Sequence, residues 1–322
     1  MLFFLISLAF ICTLYAIAFW FLKNPLFVPS QPILSAQSDK IHLQTHVNYL
    51  AAISPSRNSK NLIALNQAAD YIKAEFQKSK CNIDEQVFEI EGQNYRNIVC
   101  SFGPESAPRI ILGAHYDVHF ENNPGADDNA SGVAGIIELS RLLTQHSPDL
   151  KHRVDLVAYT LEEQPHFREH TMGSFIHAKS LVEQDIPVKL MVSIEMIGYF
   201  SDAPESQSYP LSFLKLFYPT TGNFIGVIGT SFDRSLVARA KRLMNTSERL
   251  PVYSINAPRF IPGVDLSDHR NFWHFNLPAL MVTDTAFLRN PNYHQSTDTP
   301  DTLDYDRMSD VVNGLYRIAV EF

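Results

Sequence analysis

Cysteine is scarce in this chain. It occurs three times in 322 residues, at Cys12, Cys81 and Cys100. That excludes a disulfide-dense scaffold. Cys81 and Cys100 flank a segment that reads as a hairpin, and two readings fit that placement: a disulfide across neighbouring strands, or two unrelated buried thiols. Basic clusters are also lacking. Lysine and arginine total 26 against 34 acidic residues, the net charge is -8, and no stretch forms an arginine-rich helix. A nucleic-acid partner is therefore not expected. No internal repeat and no low-complexity block occurs. No basic residue precedes the first apolar run, so the charged start of a cleaved signal peptide is missing.

What the chain does have is apolar and ordered. Hydrophobic residues make up 45% and aromatic residues 11%, enough for one large globular domain or two small ones. Residues 2–22 form a nearly unbroken apolar run. A bilayer core takes about 20 such residues as a helix. Trp20 stands where an interfacial anchor would, and Lys23 follows. The expectation is a single-pass N-terminal membrane anchor over residues 1–23, with the rest of the chain on the exported side. If the segment were cleaved at its weak Ala16-Ile17-Ala18 site, the body would be secreted. Residues 24–38 carry Pro25, Pro29 and Pro32 and read as an extended linker. Residues 39–322 are the remaining domain. Nothing in the sequence sets an oligomeric state.

Within that domain, apolar spacing predicts helices over 41–53 and 61–78, the second with Leu62, Leu65, Ala68, Ala69, Ile72 and Phe76 as one stripe. Two strands follow, joined at Gly92. Further strands are expected at 109–114, 154–160, 188–194, 224–228 and 279–283. Helices are expected at 132–143, 172–182, 235–244, 267–275 and 304–322, the last capped by Asp304. Residues 200–222 and 250–264 read as irregular. The alternation predicts an α/β sandwich in one domain, and irregular stretches of that length are usually functional.

Metal-ligand residue types collect after the apolar runs. His115 ends the run 109–114. Asp127 and Asp128 follow a Pro124-Gly125 turn. Glu162 and Glu163 follow 154–160, Glu195 follows 188–194, and Tyr293 and His294 come shortly after 279–283. If the strands are parallel, all of these meet on one rim. His115 and Glu195 then suit one cation, Glu163 and His294 a second, and Asp127 could bridge both. Each ion would have protein ligands and an open position, as catalytic zinc keeps. Neighbouring side chains diverge, so Glu162 is left free to act as a general base. Asp117 could accept the proton on the other nitrogen of His115. Each residue also has a plain structural reading: a solvated Glu pair, a helix-capping Asp, a turn-capping His. His119, His166 and His170 sit in loops near the site, and His269 precedes an aromatic helix.

Together, the motifs His115-Tyr116-Asp117, Gly125-Ala126-Asp127-Asp128-Asn129-Ala130-Ser131-Gly132, Glu162-Glu163, Glu195-Met196-Ile197-Gly198, Ser267-Asp268-His269 and Asn290-Pro291-Asn292-Tyr293-His294 resemble metallopeptidase family 28, the co-catalytic di-zinc aminopeptidases. The resemblance covers residues 61–322. It implies a three-layer α/β/α sandwich with a mixed, mostly parallel central sheet. It implies two zinc ions, one on His115, Asp127 and Glu195, the other on Asp127, Glu163 and His294. It implies Glu162 as general base, Tyr293 as a group that polarises the carbonyl, and a peptide with a free N-terminus as substrate. One departure stands out: many members carry Asp where this chain has Glu195, one methylene longer.

The expected activity is thus a zinc-dependent aminopeptidase. Two rivals share the fold: a single-zinc enzyme of glutaminyl-peptide cyclotransferase type, and a non-catalytic receptor-type ectodomain. The irregular segments, with Tyr209, Phe213, Phe217, Tyr218 and Phe260, are expected to line an apolar pocket or to form an ordinary packing flap.

Overall fold

The computed structural model describes residues 2–23, 28–29, 35–120 and 122–322. The chain starts with helix α1, Leu2–Lys23. The expected membrane span depends in part on side chains outside the described residues. Among the described residues, no helix is long and apolar enough to cross a membrane. The expected linker lies largely outside them as well. The far end of α1 rests against the body: Tyr15 donates a hydrogen bond to the Leu216 carbonyl at 2.8 Å and stacks on Phe217 at 5.0 Å.

The body is one eight-stranded sheet in the order β1-β2-β4-β3-β5-β8-β6-β7. Its strands are β1 (Asn82–Ile90), β2 (Gln93–Phe102), β3 (Arg109–His115), β4 (Arg153–Tyr159), β5 (Val188–Glu195), β6 (Ile225–Gly229), β7 (Val252–Asn256) and β8 (Ala279–Thr283). The pairs β4–β3, β3–β5, β5–β8 and β6–β7 are parallel. The pairs β1–β2, β2–β4 and β6–β8 are antiparallel. The mixed sheet matches the expected fold class. Its central strands β4, β3, β5 and β8 run the same way, so their carboxyl ends share one rim.

Helices cover both faces. Helices α2 (Lys40–Ala51), α3 (Leu62–Phe76), α4 (Gly132–His146), α6 (Arg234–Met244) and α8 (Tyr305–Glu321) contribute Leu43, Leu65, Ile136, Val237 and Val311 to one core, with Ile110 and Leu112 of β3. Helices α5 (Gly173–Glu183) and α7 (His269–His274) contribute Leu181, Phe272 and Trp273 to the other, with Ile111 of β3. Alternate residues of β3 thus feed opposite faces, as the pleat requires. Covered on both sides, the strand reads as a continuous apolar run rather than an alternation. Asp304 caps α8, accepting from the Arg307 amide at 3.0 Å.

Cys81 and Cys100 form a disulfide with Cα atoms 5.4 Å apart. Cys100 faces Ile83 in the β1–β2 ladder, and Cys81 immediately precedes β1. One expectation is corrected. Residues 250–264 are not irregular throughout, because β7 lies inside them. Val252, Ser254 and Asn256 are buried and alternate with half-buried Tyr253 and Ile255. At only five residues, with two polar residues turned inward, the strand carries little apolar pattern.

Candidate active site

The rim of the sheet gathers the expected residues. His115 is the last residue of β3 and is buried. Its Nδ1 lies 3.1 Å from the main-chain oxygen of Asp117. A carbonyl only accepts, so Nδ1 carries a proton and Nε2 is the nitrogen that faces the cleft. The Asp117 carboxylate was expected in this role, and the carbonyl takes it instead. That carboxylate accepts from the backbone amides of Glu162 at 3.1 Å and Glu163 at 3.0 Å. Asp117 thereby fixes the turn that presents both glutamates.

The largest correction concerns the paired aspartates. Asp128, not Asp127, stands between the two histidines. Its Oδ1 is 3.2 Å from His115 Nε2 and its Oδ2 is 3.1 Å from His294 Nε2. Asp127 faces away. It accepts from the Gly198 amide at 2.9 Å and from Asn290 Nδ2 at 2.8 Å. Burial, followed by the neighbouring Asp284 carboxylate, pushes the Asp127 carboxyl well above its ordinary range, and both of its oxygens are already engaged. Consecutive side chains on this turn diverge, so only one of the pair can look into the cleft. The turn itself is fixed at Gly125, where φ is +58° and an added Cβ would stand 2.3 Å from the Asp128 carbonyl oxygen. Asp298 sits beneath, its carboxylate accepting from the amides of Asp127 at 2.9 Å and Asp128 at 3.1 Å.

Around Asp128 the other groups fall on two sides. On one side, Glu195 Oε2 is 3.5 Å from His115 Nε2. Ser267 holds Glu195 by donating to that same oxygen at 2.6 Å. On the other side, Glu163 Oε1 is 3.3 Å from His294 Nε2. Glu162 Oε2 lies 3.9 Å from His115 Nε2, on the first side. Tyr293 stacks on the His294 ring at 3.7 Å. Of the other loop histidines, only His119 comes in, with Nδ1 3.3 Å from Glu163 Oε2. His166 pairs with Thr171, and His170 stacks on Phe175.

The charge balance is unusual. Burial, opposed by His115 and reinforced by Glu195 and Glu163, raises the Glu162 carboxyl well above its ordinary range. Burial also raises Glu195. Burial disfavours the charged forms of His115 and His294, yet the carboxylates win. Glu195 and Glu162 hold His115 well above the usual imidazole range, and Asp128 and Glu163 hold His294 at about 10. Burial and the Asp128 charge keep the Tyr293 phenol protonated. So many acids packed this closely need positive charge among them.

A cation fits. Nε2 of His115 and Oε1 of Glu163 are buried and lack any hydrogen-bond partner, a costly state unless something else contacts them. A tetrahedral ion with bonds of about 2.0 Å separates its ligand atoms by about 3.3 Å. The pairs above, at 3.1 to 3.5 Å, match that edge. His115, Asp128 and Glu195 form one group able to hold an ion, and Glu163 and His294 belong to a second.

Beside this cluster, an apolar cavity opens from Glu195 and Tyr293. It is walled by Leu214, Tyr218, Ile228, Ile255 and Met281, among others, and Tyr209 also borders it. Phe213 and Phe260, expected there, are instead 52% and 82% exposed. Phe217 packs toward α1.

The sequence pattern named Peptidase family M28 matches residues 97–318. This chain belongs to peptidase family M28. The uncharacterized protein YfbL of Escherichia coli K12 is 45% identical over 304 residues, spanning 90% of this chain and 93% of that protein. Leucine aminopeptidase 1 of Blastomyces gilchristii is 24% identical, over 85% of this chain and 69% of that protein. Among solved structures, the LapA aminopeptidase of Legionella pneumophila superposes with a TM-score of 0.70 at 22% identity, covering 88% of this chain and 73% of LapA. A glutaminyl cyclase from Porphyromonas gingivalis shares the fold at a TM-score of 0.66 and 17% identity, over 87% and 98% of the two chains. Members of family M28 are zinc-dependent peptide hydrolases, and the two donor groups suit that metal.

Proposed function

We propose that this protein is a zinc-dependent aminopeptidase that holds two ions, one on His115, Asp128 and Glu195, the other on Asp128, Glu163 and His294. One observation carries this reading. The carboxylate of Asp128 lies within 3.2 Å of two histidine nitrogens that face it from opposite sides. Zinc, when bound, supplies Lewis acidity toward the scissile carbonyl and lowers the pKa of water.

The chain's own residues do the rest. Glu162 takes a proton from the attacking water as the water oxygen bonds to the carbonyl carbon. It then passes that proton to the amine as the C–N bond breaks. Tyr293, protonated at neutral pH, donates toward the developing oxyanion. Asp117 keeps Glu162 in place through the Glu162 amide. The apolar cavity next to Glu195 and Tyr293 takes the side chain of the substrate's first residue, and its lining favours a large uncharged one.

The test is a panel of aminoacyl amides, N-blocked peptides and peptides that begin with glutamine, run with and without chelator. The reading expects cleavage of free-amine substrates only, abolished by chelator and restored by zinc. Ammonia release with the peptide left intact and carrying an N-terminal pyroglutamyl residue, in place of free glutamine, would mark the protein as a cyclase, which shares this fold. Attachment of the body to the exported face of a membrane through residues 2–22 is likewise our proposal, resting on the sequence alone. Fractionation of the full chain with protease protection tests it.

A further inference from the structure

One wall of the apolar cavity is an irregular loop. Residues 209–218 contain one short 3-10 helix, Ser212–Leu216, and no strand. Leu214 and Tyr218 of this loop line the cavity, and Tyr253 of β7 lines it beside them. A segment outside the sheet ladder opens at low cost unless other elements hold it. Tyr218 is tied to the sheet through its hydroxyl, which donates to the Ser254 carbonyl at 2.8 Å.

Helix α1 covers the outer side of the same wall. Two consecutive loop carbonyls accept from its side chains: Leu216 from the Tyr15 hydroxyl at 2.8 Å, and Phe217 from the Lys23 ammonium. The Lys23 ammonium also stands 4.8 Å from the Phe19 ring centre and 4.9 Å from those of both Tyr218 and Tyr253. Ring faces attract a cation at that distance. Phe19 and Leu22 pack onto Leu214, Phe217 and Tyr218. The two tyrosines that meet the cavity therefore also meet Lys23. Ordinary apolar packing accounts for Phe19 and Leu22 but not for the lysine. A lysine that merely ended an apolar helix would carry its head out to water. This one turns back onto the loop.

We propose that Tyr15 and Lys23 are positioning residues for substrate selection: from α1 they hold the 209–218 loop where Leu214 and Tyr218 close the cavity. This rests on the reading of the cavity as the site for the substrate's first side chain. A large apolar side chain reaches that wall and depends on the latch, whereas a small one does not reach it. The N-terminal helix then belongs to the substrate site. Loosening it removes selectivity rather than chemistry, because the metal groups and Glu162 stand on other elements.

The test compares full-length wild type with the double variant Tyr15→Phe, Lys23→Met and with Lys23→Arg. The double variant keeps the apolar bulk and loses both donors and the charge. Lys23→Arg keeps the charge and a donor. Steady-state kinetics are run on the amides of alanine, leucine and phenylalanine, and backbone hydrogen exchange is followed by mass spectrometry on the same preparations. In the double variant, KM for the leucine and phenylalanine amides should rise about tenfold with kcat held, and the alanine amide should stay within about twofold of wild type. Residues 209–218 should exchange faster. Lys23→Arg should stay near wild type in both readouts. The wild-type ranking of amides in the double variant overturns the proposal, whatever the exchange. So does an equal loss on all three amides, the mark of a helix that only supports the fold. Wild-type protein that hydrolyses none of the amides overturns the aminopeptidase reading instead, and unchanged loop exchange in the double variant then overturns the latch by itself.

Discussion

Glu162 and Glu163 are adjacent in sequence and differ in task because the turn that carries them points them apart. Asp117 holds both amides, so neither side chain spends itself on the backbone. Glu163 reaches His294, while Glu162 reaches only to within 3.9 Å of His115, the distance of a neighbour rather than a co-ligand. Glu162→Gln would remove the proposed proton carrier and keep the shape. Turnover should fall about 10²–10⁴-fold with zinc content unchanged, read by steady-state kinetics and metal analysis of one preparation. Near wild-type turnover would remove Glu162 from the base role. The aspartate pair follows the same logic one strand away, where hydrogen bonds to Gly198 and Asn290 occupy Asp127 and leave Asp128 free.

The elements explain why some of this was legible in the sequence. His115 and Glu195 each end a buried strand, and Glu163 follows one closely. An apolar run followed by a polar residue therefore marks the rim directly. Parallel pairing of β4, β3, β5 and β8 then brings them together. The choice between Asp127 and Asp128 was not legible, because it depends on contacts from Gly198, Asn290 and Asp298, more than sixty residues away. The sequence places His119 only as a loop histidine near the site, since no periodicity governs a loop. The pocket was half legible. Aromatic content located the loops, but burial, not composition, decides which rings face the cavity. Tyr218 donates to the Ser254 carbonyl at 2.8 Å and walls the cavity, whereas Phe260 is exposed. Tyr218→Ala should change the ranking of aminoacyl amides by roughly tenfold or more, the scale of one or two methylenes in an apolar pocket. Phe260→Ala should leave the ranking as it is. The opposite pattern in a substrate profile would return the pocket to the 260s loop.

At the scale of the whole molecule, stability and acid are linked through buried histidines away from the metal groups. Burial lowers His177 to about 4, where it pairs with the Tyr159 hydroxyl at 2.8 Å. Burial likewise lowers His269 to about 4, where its Nε2 donates to the Val264 carbonyl at 2.8 Å. Both are neutral in the fold, whereas the unfolded chain protonates them below about 6.5. At these two rings the unfolded state binds more protons between about pH 6.5 and 4, so their contribution to stability is full above that window and falls through it, while the raised carboxyls of Asp268 and Asp298 act in the opposite sense. Each imidazole contributes about 3 kcal/mol to that loss. Followed by calorimetry, the melting-temperature difference between wild type and His177→Gln should shift in the variant's favour as pH falls across the window. A difference that does not change with pH would mean the His177 ring is reached by solvent.

All of this turns on a pair of cations flanking one carboxylate. The most direct measurement is crystallographic, with anomalous scattering collected on either side of the zinc absorption edge from protein grown with zinc. The account predicts two peaks about 3.5–4 Å apart, with the Asp128 carboxylate between them, His115 on one and His294 on the other. A map with no peak at this rim, or with the ions gathered on Asp127, would contradict it.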